Sequence, residues 1–134
     1  MSDSASSQRA RPKGPLSLIG ALLILISGLI HLVLSPEHFE EVTYLGWLFL
    51  AEFVGALIAA FGIYQGYRWG WVLGLLVAGG AFVLYFVDGV FGLPGKEPEG
   101  VEGLLRPPGV AAKMVELLFL GLAVLTLAKR GRPT

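Results

Sequence analysis

The sequence predicts an all-α integral membrane protein, a four-helix bundle with both termini in the cytoplasm (N-in/C-in). Composition, the lengths of the apolar segments and the placement of basic residues support this prediction. Of 134 residues, 54% are hydrophobic and 15% charged, and the mean hydropathy is +0.71. Soluble domains carry roughly 25% charged residues. A chain this short would leave about a third of its unfolded surface exposed to water after folding, so lipid must cover the excess apolar area.

Four apolar segments have the length of roughly 20 residues that a transmembrane helix requires. Their predicted bounds are 16–34, 45–64, 71–88 and 110–128, within a membrane domain spanning 15–129. We expect Ser35 and Pro36 to stop the first helix, because proline cannot donate the amide hydrogen that continues it.

The segments outside these spans are polar or contain helix-breaking residues. A short turn joins the second and third helices into a hairpin, and residues 96–108 are too rich in Glu, Gly and Pro to cross a membrane. Residues 1–14 are rich in Ser and Arg and are predicted to be a disordered cytoplasmic tail, and residues 130–134 a second cytoplasmic tail.

Orientation follows from the basic residues, because short cytoplasmic loops retain Lys and Arg during insertion. Three basic residues, Lys96, Arg106 and Lys113, lie at the connection between the third and fourth helices or just inside the fourth. The other seven fall on the opposite side: Arg9, Arg11, Lys13, Arg68, Lys129, Arg130 and Arg132. This split predicts that the termini are cytoplasmic.

Small residues form stripes along the helices, and those of the third helix are the most regular. Gly70, Gly74, Ala78 and Ala81 recur at steps of three and four, which places them on one helix face. Transmembrane helices associate where small residues let their backbones approach closely. The stripe therefore predicts a packing interface.

Ionisable residues inside the predicted spans are the candidates for a functional site. They cost a few kcal/mol or more at membrane depth and usually point into the bundle. At a rise of 1.5 Å per residue they fall in one layer in the outer part of the bundle. Glu52 has no basic neighbour within a helical turn, so we expect a partner for it from another helix, His31 or Lys113. The predicted polar site comprises His31, Glu52, Asp88, Lys113 and Glu116.

This layer has three interpretations. In a structural network, Lys113 and Glu116 neutralise each other at i and i+3 while His31 hydrogen-bonds a carboxylate. In a metal site, the ligands would come from His31, His38, Glu52 and Glu116, although no HxxxH or ExxH spacing supports it. In a binding or proton-handling cleft open to the outside, Glu52 and Glu116 would carry protons, because ionised carboxyls are costly there.

Three short stretches resemble those of a group of small four-helix membrane proteins from actinobacteria and related bacteria. They are His31-Leu32 followed by Pro36-Glu37-His38-Phe39, then Gly92-Leu93-Pro94, and Val115-Glu116-Leu117. The resemblance implies the fold, a plasma-membrane location, and a shared pattern that includes His31, His38 and Glu116. The sequence departs from that pattern shortly before Gly92, where it has Gly89 and the pattern has an arginine.

We therefore expect a non-enzymatic accessory or binding protein of the bacterial plasma membrane with an outward-facing polar site. A metal- or haem-binding redox subunit or enzyme using His31 and His38 is the first alternative, and an oligomeric transporter protomer the second. No motif identifies a cofactor or a catalytic residue, and the chain has no cysteine. The expected partners are the lipid bilayer and a membrane protein or second copy; zero net charge gives no case for nucleic acid.

Overall fold

Helices make up nearly all of the chain that the structure, a computed structural model, describes, residues 14–130. The helices are α1 (Pro15–Glu41), α2 (Thr43–Tyr64), α3 (Arg68–Val90), the short α4 (Gly100–Leu104) and α5 (Pro107–Arg130). Helices α1, α2, α3 and α5 are long and apolar enough to cross a membrane. The predicted tails lie almost entirely outside the described residues; Arg130, placed in the second tail, is the last residue of α5.

The four long helices form a ring in which each packs on two neighbours. Helix α1 packs on α2 and α5, and α3 packs on the same two helices, while α1 and α3 barely touch. Chain direction alternates around the ring. One end therefore carries the α1–α2 turn and the connection at residues 91–106, and we name it the loop end. The other end carries the α2–α3 turn and is named the terminal end.

Helix α1 extends beyond its predicted end, and the prediction that Ser35 and Pro36 stop it is wrong. Proline leaves the carbonyl oxygen four residues earlier, that of Leu32, without its helical donor. The Ser35 hydroxyl donates a hydrogen bond to this oxygen at 2.8 Å. The helix therefore continues to Glu41, and Val42 is the one residue between α1 and α2.

Helices α3 and α5 also begin earlier than predicted, by about one turn. Helix α5 starts at Pro107 and Pro108, where missing amide hydrogens cost nothing because the first turn has no intrahelical acceptors for them. The α2–α3 turn contains Gly66 with φ of +86°, a left-handed conformation that glycine adopts without steric cost. These additions do not alter the predicted order of the spans.

An apolar core fills the terminal half of the bundle. The rings of Trp71 and Phe119 stack with centroids 5.9 Å apart, and Ile24 and Ile63 pack around them with no exposed surface. The predicted stripe on α3 faces this core at Gly70, Gly74 and Ala78, which are all buried. A Cβ on Gly70 would collide with the backbone of α2 at Gly62, so the hairpin packs backbone against backbone.

Large apolar side chains cover the outside of all four long helices. Examples that lie more than half exposed are Val33, Phe61, Leu76, Val83, Leu117 and Leu125. Soluble monomers rarely present contiguous apolar surface on this scale. Together with the four spans, this surface makes the chain a multi-pass membrane protein.

Candidate functional site

The loop half of the bundle contains a buried network around Glu116, whose side chain has no exposed surface. Its Oε1 atom lies 2.5 Å from Nζ of Lys113, one turn earlier on α5. Its Oε2 atom accepts a hydrogen bond from the Ser27 hydroxyl at 2.8 Å, which joins α5 to α1. Lys113 also donates to the carbonyl oxygen of Ala81 on α3 at 3.3 Å. The network ties three helices together, and the predicted pairing of Lys113 with Glu116 is confirmed.

His31 borders this network but does not hydrogen-bond a carboxylate, contrary to the structural interpretation of the sequence. Its Nδ1 lies 2.8 Å from the carbonyl oxygen of Ser27, one turn earlier on α1. Because a carbonyl oxygen can only accept, Nδ1 carries the hydrogen, and the neutral ring has its lone pair on Nε2. That nitrogen lies 3.9 Å from Oε2 of Glu116, too far for a hydrogen bond.

His38 repeats the arrangement two turns further along α1. Its Nδ1 lies 2.9 Å from the carbonyl oxygen of Leu34, and its ring stacks on Phe49 of α2 with centroids 3.8 Å apart. In both histidines, Nδ1 therefore forms a hydrogen bond with a carbonyl oxygen of the same helix, α1. Phe49 also contacts the ring of His31, at 5.0 Å between centroids.

Glu52 has no hydrogen bond and no ion pair among residues 14–130. Its side chain is half-buried on α2, and its Oε2 atom is buried without a hydrogen bond. The prediction that His31 or Lys113 would pair with it is wrong, because the first bonds along its own helix and the second pairs with Glu116. A buried polar atom without a partner is costly, and proteins retain few of them.

These groups surround a cavity of about 160 Å³ between the four long helices in the loop half. Four of the five predicted site residues, His31, Glu52, Asp88 and Lys113, line the cavity, and Glu116 lies behind His31 and Lys113. The remaining wall is mostly apolar, with side chains including Leu48, Phe49, Leu84 and Ala112. An apolar cavity with a few converging polar groups is the usual form of a small-molecule site.

The connection between α3 and α5 covers this cavity and is held by Lys96. The Lys96 ammonium lies 2.8 Å from Asp88, 3.2 Å from Glu99 and 3.5 Å from Glu41. Burial lowers the pKa of Lys96, but hydrogen bonds to Asp88 and Glu99 more than offset this, so its pKa lies above the ordinary value. Asp88, predicted to belong to the intramembrane layer, is thus paired with the covering segment.

Three further contacts fasten the covering segment. Arg106 donates to Glu37 at 2.7 Å, the Tyr44 hydroxyl donates to the carbonyl oxygen of Pro94 at 2.6 Å, and the Tyr85 hydroxyl donates to that of Leu104. Sequence reasoning missed these residues, together with the role of Ser27. The i, i+4 spacing of Ser27 and His31 was the one signal of a shared polar face; nothing in the sequence indicated the path of residues 91–106.

The candidate metal ligands do not converge on one point. Within residues 14–130, no group of three or more His, Asp or Glu side chains is arranged to hold a metal ion. His31 is turned towards Glu116, His38 lies 3.7 Å from Glu41, and Glu52 forms no hydrogen bond with either histidine. Metal binding stays a prediction from the sequence with no support in this geometry.

A second, open groove lies on the lipid-facing side of the cavity, between α1 and α5. It is lined only by apolar side chains and has almost no polar surface: Ile26, Leu29, Ile30, Val33, Leu34, Pro108 and Ala111. Ile30, Leu34 and Pro108 also line the cavity, so these three residues form the boundary between the cavity and the groove.

The fold and these contacts define a class, a multi-pass four-helix membrane protein with a covered amphipathic cavity in one half of the bundle. Comparisons of the chain with protein-family models, with curated proteins and with solved structures find no match. Its site must therefore be interpreted from its own chemistry.

Proposed function

We propose that this chain is a non-enzymatic binding protein of a bacterial plasma membrane, and that its ligand occupies the cavity beside Glu52. Both termini lie in the cytoplasm, so the cavity opens towards the outside. The seven-to-three division of the basic residues supports this orientation. The bacterial location rests on the resemblance of the stretch from His31 to Phe39 to small actinobacterial-type membrane proteins.

The unpartnered carboxyl of Glu52 in a cavity wall is the observation that supports a binding role. Lys113 forms an ion pair with one oxygen of Glu116 and Ser27 donates a hydrogen bond to the other, so these three residues can be explained by packing alone. Glu52 differs, because it has no hydrogen bond or ion pair among the described residues, and burying its Oε2 atom without a partner costs free energy. A residue that destabilises the empty protein is expected where a ligand supplies the missing partner.

This proposal separates stability from activity. Glu52→Gln and Glu52→Met remove a carboxyl without breaking a hydrogen bond or an ion pair, so both should leave thermal stability in detergent unchanged or higher. Both should fail to restore the growth phenotype of a strain that lacks the gene. Glu40→Gln, an exposed carboxyl that does not line the cavity, is the matched control and should restore it fully.

Two results would count against the proposal. A clear loss of stability in both Glu52 variants would show that the carboxyl supports the fold. Full restoration of growth by both would show that the cavity carboxyl is dispensable. Metal analysis and a visible spectrum of the same preparations test the redox alternative, and sizing in detergent tests the transporter protomer.

A further inference from the structure

The cavity and the apolar groove adjoin each other in the loop half. The cavity contains the free carboxyl of Glu52, and the neighbouring groove between α1 and α5 is apolar and open to lipid. Ile30, Leu34 and Pro108 belong to both. A molecule lying across this boundary would have its polar end in the cavity and its hydrocarbon in the groove.

We propose that the cavity and groove together bind a single-chain amphiphilic amine, with its ammonium on Glu52 and its hydrocarbon chain in the groove. This inference rests on the proposed binding function and names the chemical class of the ligand. The ammonium would form a charge-assisted hydrogen bond with the carboxylate, which is stronger than a bond between neutral groups.

The charges around the cavity select a cation. Every other acidic residue that lines it already has a basic partner: Asp88 and Glu99 pair with Lys96, and Glu37 pairs with Arg106. Lys113 lines the cavity too, but Glu116 lies 2.5 Å from it and balances its charge. Glu52 is therefore the one acidic group of this lining without an ion pair among the described residues.

The same charges disfavour an anionic head group. Nine of the ten acidic residues of the chain lie in the loop half, at positions 37 to 52, 88 to 102 and 116, against three Lys or Arg residues. Those three, Lys96, Arg106 and Lys113, are each in an ion pair. A phosphate or carboxylate would meet a field of its own sign, which costs free energy.

The groove suits one hydrocarbon chain that runs towards the middle of the membrane. Its lining on α1 extends from Leu34 to Ile26, eight residues towards the terminal end, or about 12 Å. Glu52 lies nine residues, or about 13 Å, from the loop end of α2 and level with His31, so the head group would lie beside the middle of this lining and the chain would point from there towards Ile26. This is the arrangement of an amphiphile in the membrane leaflet on the loop side.

Octylamine tests the proposal directly, with octanol and octanoate as head-group controls of equal chain length. Binding is measured by calorimetry on the full chain in phosphatidylcholine nanodiscs, after subtraction of empty nanodiscs. Octylamine should bind saturably at one site per chain. Octanol should bind with an affinity at least about tenfold lower, and octanoate should not bind. The tenfold factor is what losing one charged hydrogen bond costs. Equal binding of octylamine and octanol overturns the proposal and requires no variant.

Variants then assign the two ends of the ligand. Glu52→Gln should weaken octylamine binding about tenfold and leave octanol unchanged. Ala111→Trp fills the groove and should reduce octylamine to the affinity of butylamine, whereas Ala128→Trp, an exposed position at the terminal end, should not. An unchanged octylamine affinity in Glu52→Gln or in Ala111→Trp contradicts the assignment.

Phosphatidylethanolamine, which also has an ammonium head, is distinguished by repeating the titration in nanodiscs that contain it. The affinity for octylamine should stay the same, because the phosphate and the second hydrocarbon chain exclude this lipid from the site. A lower octylamine affinity in these nanodiscs would mean that phosphatidylethanolamine competes for the site and that a membrane lipid is the occupant. If the Glu52 variants fail to restore growth but octylamine does not bind, the ligand class is wrong and the binding function stands. If they restore growth fully, the binding function itself is wrong.

Discussion

The hydroxyl of Ser27 donates a hydrogen bond to Oε2 of Glu116 at 2.8 Å, and it thereby links α1 to α5 across the buried loop half. Ser27→Ala should lower the free energy of unfolding by about 1–2 kcal/mol, because the carboxylate loses a donor that water cannot replace. Unfolding titrations in mixed detergent micelles measure this. Ser35→Ala is the control. The Ser35 hydroxyl donates a hydrogen bond only within α1, so this variant should lower the free energy of unfolding by less than Ser27→Ala does. Equal costs would contradict a role for Ser27 between helices.

The ion pair of Lys113 and Glu116 gives a second prediction. Lys113→Met leaves a buried carboxylate without its counter-charge and should destabilise the protein by roughly 3–5 kcal/mol. The double variant Lys113→Met/Glu116→Met removes both charges and should be more stable than the single variant. A double variant whose cost equals the sum of the two single costs would show that the two residues do not interact.

Packing on α3 gives a third prediction, based on two glycines. A Cβ on Gly74 would lie 2.5 Å from Cζ of Phe119, a ring that is fully buried and stacked on Trp71. Gly74→Ala should therefore cost about 1–3 kcal/mol. A Cβ on Gly80 would meet nothing within 4 Å, so Gly80→Ala should be neutral or slightly stabilising. Thermal unfolding in detergent measures the stability of both variants. An equal change in stability for Gly74→Ala and Gly80→Ala would contradict tight packing of α3 at Gly74.

A fourth prediction concerns the alkaline stability that Lys96 provides. Since folding raises its pKa above the ordinary value of 10.5, its contribution is complete below about pH 10.5 and disappears as pH rises through the folded-state pKa. Wild type should be more stable than Lys96→Met at pH 8, and the two should converge at strongly alkaline pH. A difference that persists unchanged there would mean that Lys96 stabilises by packing of its aliphatic stem instead.

The fifth prediction tests orientation. The chain has no cysteine, so single cysteines report their own side of the membrane. Glu97→Cys, exposed at the loop end, should react with an impermeant thiol reagent in intact cells, whereas Gln65→Cys in the α2–α3 turn should react only after lysis. The reverse pattern would place the cavity on the cytoplasmic side.

The sequence predicted the parts of the fold that depend on local chemistry. Hydropathy identified the four spans, and the i, i+3 spacing identified the Lys113–Glu116 pair. The small residues of α3 identified its buried face. Each of these depends on residues within a few turns of one another, so periodicity is sufficient to detect it.

The errors concern residues whose partners lie far away along the chain. Asp88 lines the cavity with other predicted site residues, but its partner was not predicted, because residues 91–106 fold back over the bundle and bring Lys96 to it. That path depends on Gly92 and Gly95, with φ of +80° and +84°, and hydropathy carries no information about it. Glu52 was expected to find a partner because burial without one is costly; the cavity that removes the need for close packing there arises only from the assembled helices.

The continuation of α1 through Pro36 has a mechanical consequence. The Leu32 carbonyl is held by a serine side chain instead of by the backbone four residues later, so the rigid ladder of amide bonds is interrupted at that level. The helix is thus two stiff rods that share a joint. The rod before the joint packs Gly28 against Ala56, and the rod after it carries Glu37 and His38 at the mouth of the cavity. Bending at the joint would move the mouth and disturb the stacking of His38 on Phe49 and the pair of Glu37 with Arg106, whereas the packing of Gly28 on Ala56 would stay in place.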